Sequence, residues 1–265
     1  MALEPDRRFV YKPASGADLG IDAFFPEGWP SGCRAAIAFF FGGGWVKGSP
    51  TQFHPHCRRL AERGMAAFSA DYRVESRHGT SPFACVADGK SAMRWLRGHA
   101  DKLGIDPGRL AAGGGSAGGH VAAAVLVEGF EEAGEDQGIS CRPDALVLFN
   151  PVIDNGPGGY GNDRVGGRWE AFSPLHNIRG GAPPALFQLG TSDRIVPVET
   201  AERFRDLMGA AGARCDLVLY EGEPHGFFNY GRPSYEPTAL EMERFLESLG
   251  YFERREKKAS VGGQG

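Results

Sequence analysis

Residues 113–120 read Gly113-Gly114-Gly115-Ser116-Ala117-Gly118-Gly119-His120. They follow the short run Arg109-Leu110-Ala111-Ala112 and precede the helix-forming Val121-Ala122-Ala123-Ala124. A serine framed by Gly114 and Gly118 between a strand and a helix has the pattern of a nucleophile elbow. Small neighbours let strand and helix close up, and the sharp turn lifts the hydroxyl clear of the sheet. Amides at the start of the helix favour negative charge beside it. The rest of the chain can then be asked for a base, an acid and an oxyanion hole.

Working outward, the chain alternates apolar runs with helical patterns. Phe9–Tyr11 and Leu19–Phe25 read as two antiparallel opening strands joined around Gly16. Ala35–Phe41 is a continuous apolar run, as in a strand buried on both faces. A glycine loop follows, then a helix from about Gln52 to Arg63, a strand at Ala66–Ala70 and a long amphipathic helix at Pro82–His99. Arg109–Gly113 is the strand before the elbow, and a helix from Ser116 to about Glu128 follows it. Further strands are expected at Ala145–Phe149, Pro184–Leu189 and Cys215–Tyr220, with helices at Val198–Ala211 and Pro237–Leu249. Such alternation implies an α/β fold with a mostly parallel sheet covered on both faces. Periodicity lapses between 151 and 183, which reads as a lid-like insert over a site, because structureless connections of that length are uncommon. The expected organisation is one domain over residues 1–252 and a disordered tail at 253–265.

Composition narrows the class. The 265 residues are 42% hydrophobic and carry a formal net charge of −4, which gives no reason to expect nucleic acid or an anionic membrane as partner. No run approaches the roughly 18 apolar residues of a membrane span. Five dispersed cysteines and no apolar leader at Met1–Arg8 predict a cytoplasmic protein without a disulfide framework. There is no His-Glu-x-x-His and no cysteine pair at metal spacing, so no metal and no cofactor are expected.

A serine hydroxyl is a weak nucleophile and needs a base, which needs an orienting partner. Of seven histidines, only His225 lies in a loop after the last strand, in Glu223-Pro224-His225-Gly226-Phe227-Phe228. Loops at strand C-termini gather over one crevice, so His225 is the expected base. Asp193, in Gly190-Thr191-Ser192-Asp193-Arg194, follows a strand and gives the order Ser…Asp…His. A helix N-cap is its ordinary alternative, and Asp154, Glu221 and Glu223 are the other acids considered. Phe41-Gly42-Gly43-Gly44-Trp45 follows a buried strand and suits an oxyanion loop. Gly43 and Gly44 are the expected donors, with the amide of Ala117. Trp45, Tyr160, Trp169, Phe227 and Phe228 are the expected pocket lining, since aromatic faces suit sugars, aryl groups or acyl chains. Core packing is the competing explanation for them.

With these motifs in place, the chain resembles an α/β-hydrolase of the esterase/lipase group related to hormone-sensitive lipase. The resemblance runs from the opening strands to the final helix. It rests on the glycine loop, Ser116-Ala117-Gly118-Gly119-His120, Asp193 and Pro224-His225-Gly226-Phe227. It implies Ser116 as nucleophile, Asp193 as acid, His225 as base, and Gly43, Gly44 and Ala117 as oxyanion donors. One departure stands out. The group's His-Gly-Gly-Gly begins here with Phe41, so packing, helped by Phe39, Phe40 and Trp45, is expected to brace the loop. The short insert implies an open site, closer to bacterial acetyl xylan and feruloyl esterases than to lidded lipases. The expected activity is hydrolysis of esters with short acyl groups, acetylated sugars among them. A serine peptidase like prolyl oligopeptidase, or a non-catalytic receptor on the same scaffold, are the alternatives. The partner expected is a small-molecule or carbohydrate ester; a homodimer is left open, being common among soluble oligomers although nothing in the sequence demands one.

Overall fold

The computed structural model describes residues 3–13, 18–30 and 33–252. The tail expected at 253–265 and the turn expected at Gly16 lie outside the described residues. The strands are β1 (Arg7–Lys12), β2 (Leu19–Phe24), β3 (Arg34–Phe40), β4 (Ala66–Ala70), β5 (Ile105–Gly115), β6 (Leu146–Phe149), β7 (Ala185–Gly190) and β8 (Cys215–Tyr220). They join one sheet in the order β1-β2-β4-β3-β5-β6-β7-β8. β2 pairs antiparallel with β1 and β4, and every pair from β4 onward is parallel.

Period-two alternation sorts side chains to the two faces. Ala36, Ala38 and Phe40 of β3 enter one apolar layer, and Ala35, Ile37 and Phe39 enter the other. The first layer is completed by α2 (Pro82–Gly98), α3 (Ala117–Ala122) and α4 (Val198–Ala210); the second by α1 (His54–Glu62) and α5 (Tyr235–Ser248). Each fully buried Phe or Leu contributes about 1.5–3 kcal/mol relative to exposure. The sheet is therefore anchored from both sides.

From β3 the chain crosses to β4 on one side, then returns past β3 to β5 on the other. The strand order reverses there, and ligands of open α/β sheets bind in the crevice beyond the strand ends at such a point. The glycine loop leaves β3 and Ser116 leaves β5, so both open onto that crevice.

Three elements differ from the sequence expectation, the first being the strand before the elbow, which runs Ile105–Gly115 and not Arg109–Gly113. The elbow helix is shorter: α3 stops at Ala122, a tighter 3-10 turn covers Ala123–Leu126, and Val127 is extended. Beyond that turn the buried ammonium of Lys90 takes the Val127 carbonyl at 2.8 Å and also holds that of Gly129. The 151–183 stretch contains short helical turns at Asn162–Val165 and Trp169–Phe172. The Arg168 guanidinium lies 3.6 Å above the Phe83 ring and ties this stretch to α2.

Candidate active site

The elbow is built by close approach. A Cβ on Gly114 would lie 2.3 Å from the Gly118 carbonyl oxygen, and one on Gly118 would lie 2.0 Å from that of Phe40. Only glycine at both positions lets β5, α3 and β3 pack together. Ser116 is held at φ 54°, ψ −121°, a conformation that costs a non-glycine residue about 1–3 kcal/mol. Three backbone bonds enforce it. The Ser116 N–H donates to Phe149 O at 3.0 Å, and the Ser116 carbonyl accepts from His120 N and Val152 N at 3.1 and 3.2 Å.

Ser116, Asp193 and His225, far apart in sequence, meet here. Ser116 Oγ lies 2.9 Å from His225 Nε2, and His225 Nδ1 lies 2.7 Å from Asp193 Oδ2. A carboxylate only accepts, so Nδ1 carries the proton and Nε2 presents its lone pair to the serine hydroxyl. The Asp193 carboxylate is out of contact with solvent. Burial pushes its pKa up, but the hydrogen bond from His225 and the amides of Val196 and Ile195 outweigh this and hold it below the usual aspartate value. Those amides donate to Oδ1 at 3.0 and 2.8 Å. Asp193 is not the helix N-cap that was its alternative, since α4 is capped at Pro197; one oxygen closes the turn before that helix and the other lies against the imidazole. Two of the other acids are engaged elsewhere, Glu223 with Ser234 Oγ at 2.5 Å and Asp154 with the Gly156 amide at 2.9 Å.

A cavity of about 410 Å³ adjoins the pair, bordered by Gly43, Gly44, Ser116, Tyr160, His225 and Phe228 among others. A larger hollow of about 750 Å³ beside Trp29 and Arg58 is not bordered by Ser116 or His225. Among the described residues, the amides of Gly43 and Gly44 have no protein acceptor. Ala117 is the first residue of α3, so its N–H is one of those a helix leaves unpaired.

The aromatic lining needs correction. Tyr160 and Phe228 border the cavity; Trp45, Trp169 and Phe227 do not. Trp45 is buried edge-on against His120, with ring centroids 5.2 Å apart, because its backbone at φ 60° turns the side chain inward. Phe227 is buried against Tyr220 at 5.0 Å, and Trp169 packs edge-on against His176 at 5.0 Å. Phe228 serves both layer and cavity: it stacks on Phe149 at 4.8 Å and would block any Cβ at Gly115.

The bracing of the glycine loop differs as well. Phe41 does pack, stacked on Tyr72 at 4.1 Å, but hydrogen bonds also hold the loop. The Tyr72 hydroxyl donates to Phe41 O at 2.5 Å, the Gly42 amide donates to Gln52 Oε1 at 2.6 Å, and Arg164 of the 151–183 stretch donates to Gly44 O. Phe39 stacks on Phe53 on the opposite face, and Phe40 belongs to the layer with α2.

Sequence reasoning also missed Asn150. This buried residue sits at φ 35° just beyond β6, accepts the Gly226 amide on Oδ1 at 3.0 Å and places Nδ2 3.3 Å from His225 Nε2. The signal was a lone polar residue closing the apolar run Ala145–Phe149; asparagine tolerates positive φ better than most residues.

Comparison with known proteins places this architecture. Residues 37–165 match a model described as alpha/beta hydrolase fold, and residues 160–253 one described as the dienelactone hydrolase family. Esterase LipC of Mycobacterium tuberculosis is 27% identical, over 86% of this chain and 62% of its own length. An acetylxylan esterase of Xylanibacter ruminicola is 27% identical, over 94% of this chain and 52% of its own. The chain thus spans roughly half to two-thirds of the length of these curated relatives. Apo Thermogutta terrifontis esterase 2 superposes with a TM-score of 0.92 at 45% identity, covering 96% of this chain and 98% of that one. The chain belongs to the α/β-hydrolase family, among relatives that are esterases.

Proposed function

We propose that the protein is a carboxylic ester hydrolase working through an acyl-enzyme, with Ser116 as nucleophile, His225 as base and Asp193 as its orienting acid. The observation that carries this is the unbroken contact from Ser116 Oγ through the imidazole to the buried carboxylate, at 2.9 and 2.7 Å. In this reading the hydroxyl passes its proton to Nε2 as Oγ attacks the ester carbonyl. Asp193 stabilises the imidazolium. The amides of Gly43, Gly44 and Ala117 receive the developing oxyanion, each worth on the order of 10²–10³ in rate. The imidazolium returns its proton to the leaving alkoxide, and water then repeats the sequence on the acyl-enzyme. Solved forms of the Thermogutta esterase phosphorylated by paraoxon support a serine nucleophile in a near relative.

Short acyl groups are the proposed substrates. Support comes from the modest cavity and from solved forms of the Thermogutta esterase with propionate and butyrate bound. The likeness to an acetylxylan esterase makes acetylated sugars the class to test first. All five cysteines are unpaired, which supports a cytoplasmic setting. Among the described residues, no helix is long and apolar enough to cross a membrane.

A series of p-nitrophenyl esters from acetate to decanoate, with acetylated xylan and glucose pentaacetate, tests the reading. Highest kcat/KM on acetate to butyrate and acetate release from a sugar ester are expected. Turnover rising toward long chains would overturn the short-acyl reading, and no acetate release from any sugar ester would remove the carbohydrate class. Retained turnover by Ser116→Ala would remove the nucleophile.

A further inference from the structure

We infer that Gln52 and Asn229 are positioning residues that strap the glycine loop to the histidine loop, so that the oxyanion donors and His225 are set as one unit. The roles given to the two loops rest on the esterase reading; the strap rests on hydrogen-bond geometry. Gln52 lies on the helical turn Pro50–Phe53, and Asn229 lies four residues past His225. The Gly42 amide donates to Gln52 Oε1 at 2.6 Å, Gln52 Nε2 donates to Asn229 Oδ1 at 2.8 Å, and Asn229 Nδ2 donates to Gly226 O at 2.8 Å.

The chain of bonds can run in only one direction. A backbone N–H only donates, so it must meet the oxygen of Gln52, which turns the Gln52 NH₂ toward Asn229. The oxygen of Asn229 must then face Gln52, and its NH₂ must face the Gly226 carbonyl, which only accepts. Each amide uses both ends, and neither link survives a flip. Gly226 is gripped twice, its carbonyl by Asn229 and its N–H by Asn150 Oδ1. It adjoins His225, so its peptide sets the approach of the imidazole. At the other end the Gly42 amide is consumed, which leaves Gly43 and Gly44 as the loop's donors toward the cavity. Both strap residues border that cavity, so the link crosses the site itself.

Isosteric changes isolate the joint. Gln52→Glu can still accept from Gly42 but cannot donate to Asn229. Asn229→Asp can still accept from Gln52 but cannot donate to Gly226. Amide hydrogen exchange is to be measured on segments 42–44 and 226–229 of both variants, and kcat and KM for p-nitrophenyl acetate on Gln52→Ala, Asn229→Ala and their double variant. A strap predicts transmission: Gln52→Glu speeds exchange at 226–229, and Asn229→Asp at 42–44, each by about tenfold. It also predicts a fall in kcat of about 10–100-fold in each alanine variant with little change in KM, and a double variant no slower than the worse single one. Exchange that changes only in the loop carrying the substitution, or rate losses that multiply, would overturn the strap. If the wild-type protein hydrolyses no ester, the esterase reading falls while the exchange measurement still decides the strap.

Discussion

Acid should destabilise this fold through two histidines that the proposed reaction does not use. His56 sits on α1 inside an aromatic box, 4.9 Å from the Tyr235 ring, 5.0 Å from Phe53 and 5.5 Å from Phe149, with neither ring nitrogen hydrogen-bonded. Burial pushes its pKa from 6.5 down to about 3, and the Arg59 charge adds to this. His120 on α3 is likewise pushed down to about 3 by burial, which outweighs the raising effects of the Phe172 carbonyl and the Asn155 side chain. In the folded protein both stay neutral between pH 3 and 6.5, whereas in the unfolded chain both take up protons. The unfolded state therefore binds more protons in that window, and stability falls as pH falls below 6.5. Each pH unit costs about 1.4 kcal/mol per histidine. Going from pH 7.5 to 5.0 crosses 1.5 units below 6.5, so the pair should remove about 4 kcal/mol. That is a large share of the roughly 5–15 kcal/mol of a typical domain. Equilibrium urea unfolding at pH 7.5, 6.0, 5.5 and 5.0 measures this, with a slope approaching two protons at the acid end. His56→Phe, which matches the surrounding rings, should lower that slope to about one proton. An unchanged slope in His56→Phe, with two-state unfolding intact, would refute the reasoning.

Three further outcomes are expected. Ser116→Ala should lower kcat on p-nitrophenyl acetate by about 10⁴-fold or more and abolish labelling by a fluorophosphonate probe, while the thermal midpoint is retained. Asp193→Asn should lower kcat by about 10⁴-fold, because the amide presents the wrong partner to Nδ1; pre-steady-state acylation kinetics would check that the loss is in the chemical step. Asn150→Ala should lower kcat by about 10–100-fold through loss of the Gly226 amide's acceptor, and Asn150→Asp, which keeps an acceptor oxygen, should recover part of it; steady-state rates compared at one pH test this.

β3 and β6 were legible because strands buried on both faces write themselves as uninterrupted apolar runs, and β4, β7 and β8 because a single polar residue leaves such a run recognisable. Ser116, Asp193 and His225 were legible for a related reason: each is a polar residue in a loop directly after such a run, where the topology gathers loops. The brace was not. Gln52, Asn150 and Arg164 meet backbone atoms 10, 76 and 120 residues away, Gln52 also meets the Asn229 side chain across 177, and no spacing marks such partners. The pocket aromatics failed for want of direction. Trp45 and Phe228 both flank site loops, yet one turns into the apolar layer with α3 and the other reaches the cavity.

Arg164 and Tyr160 reach the glycine loop from the 151–183 stretch, one through the Gly44 carbonyl and the other close enough that a methyl on Gly44 would strike its hydroxyl. That stretch is therefore not a detachable cover. Chimeras that exchange it between relatives would also exchange a support of the amides proposed to hold the oxyanion, so swapped segments should carry their own glycine loop to keep turnover.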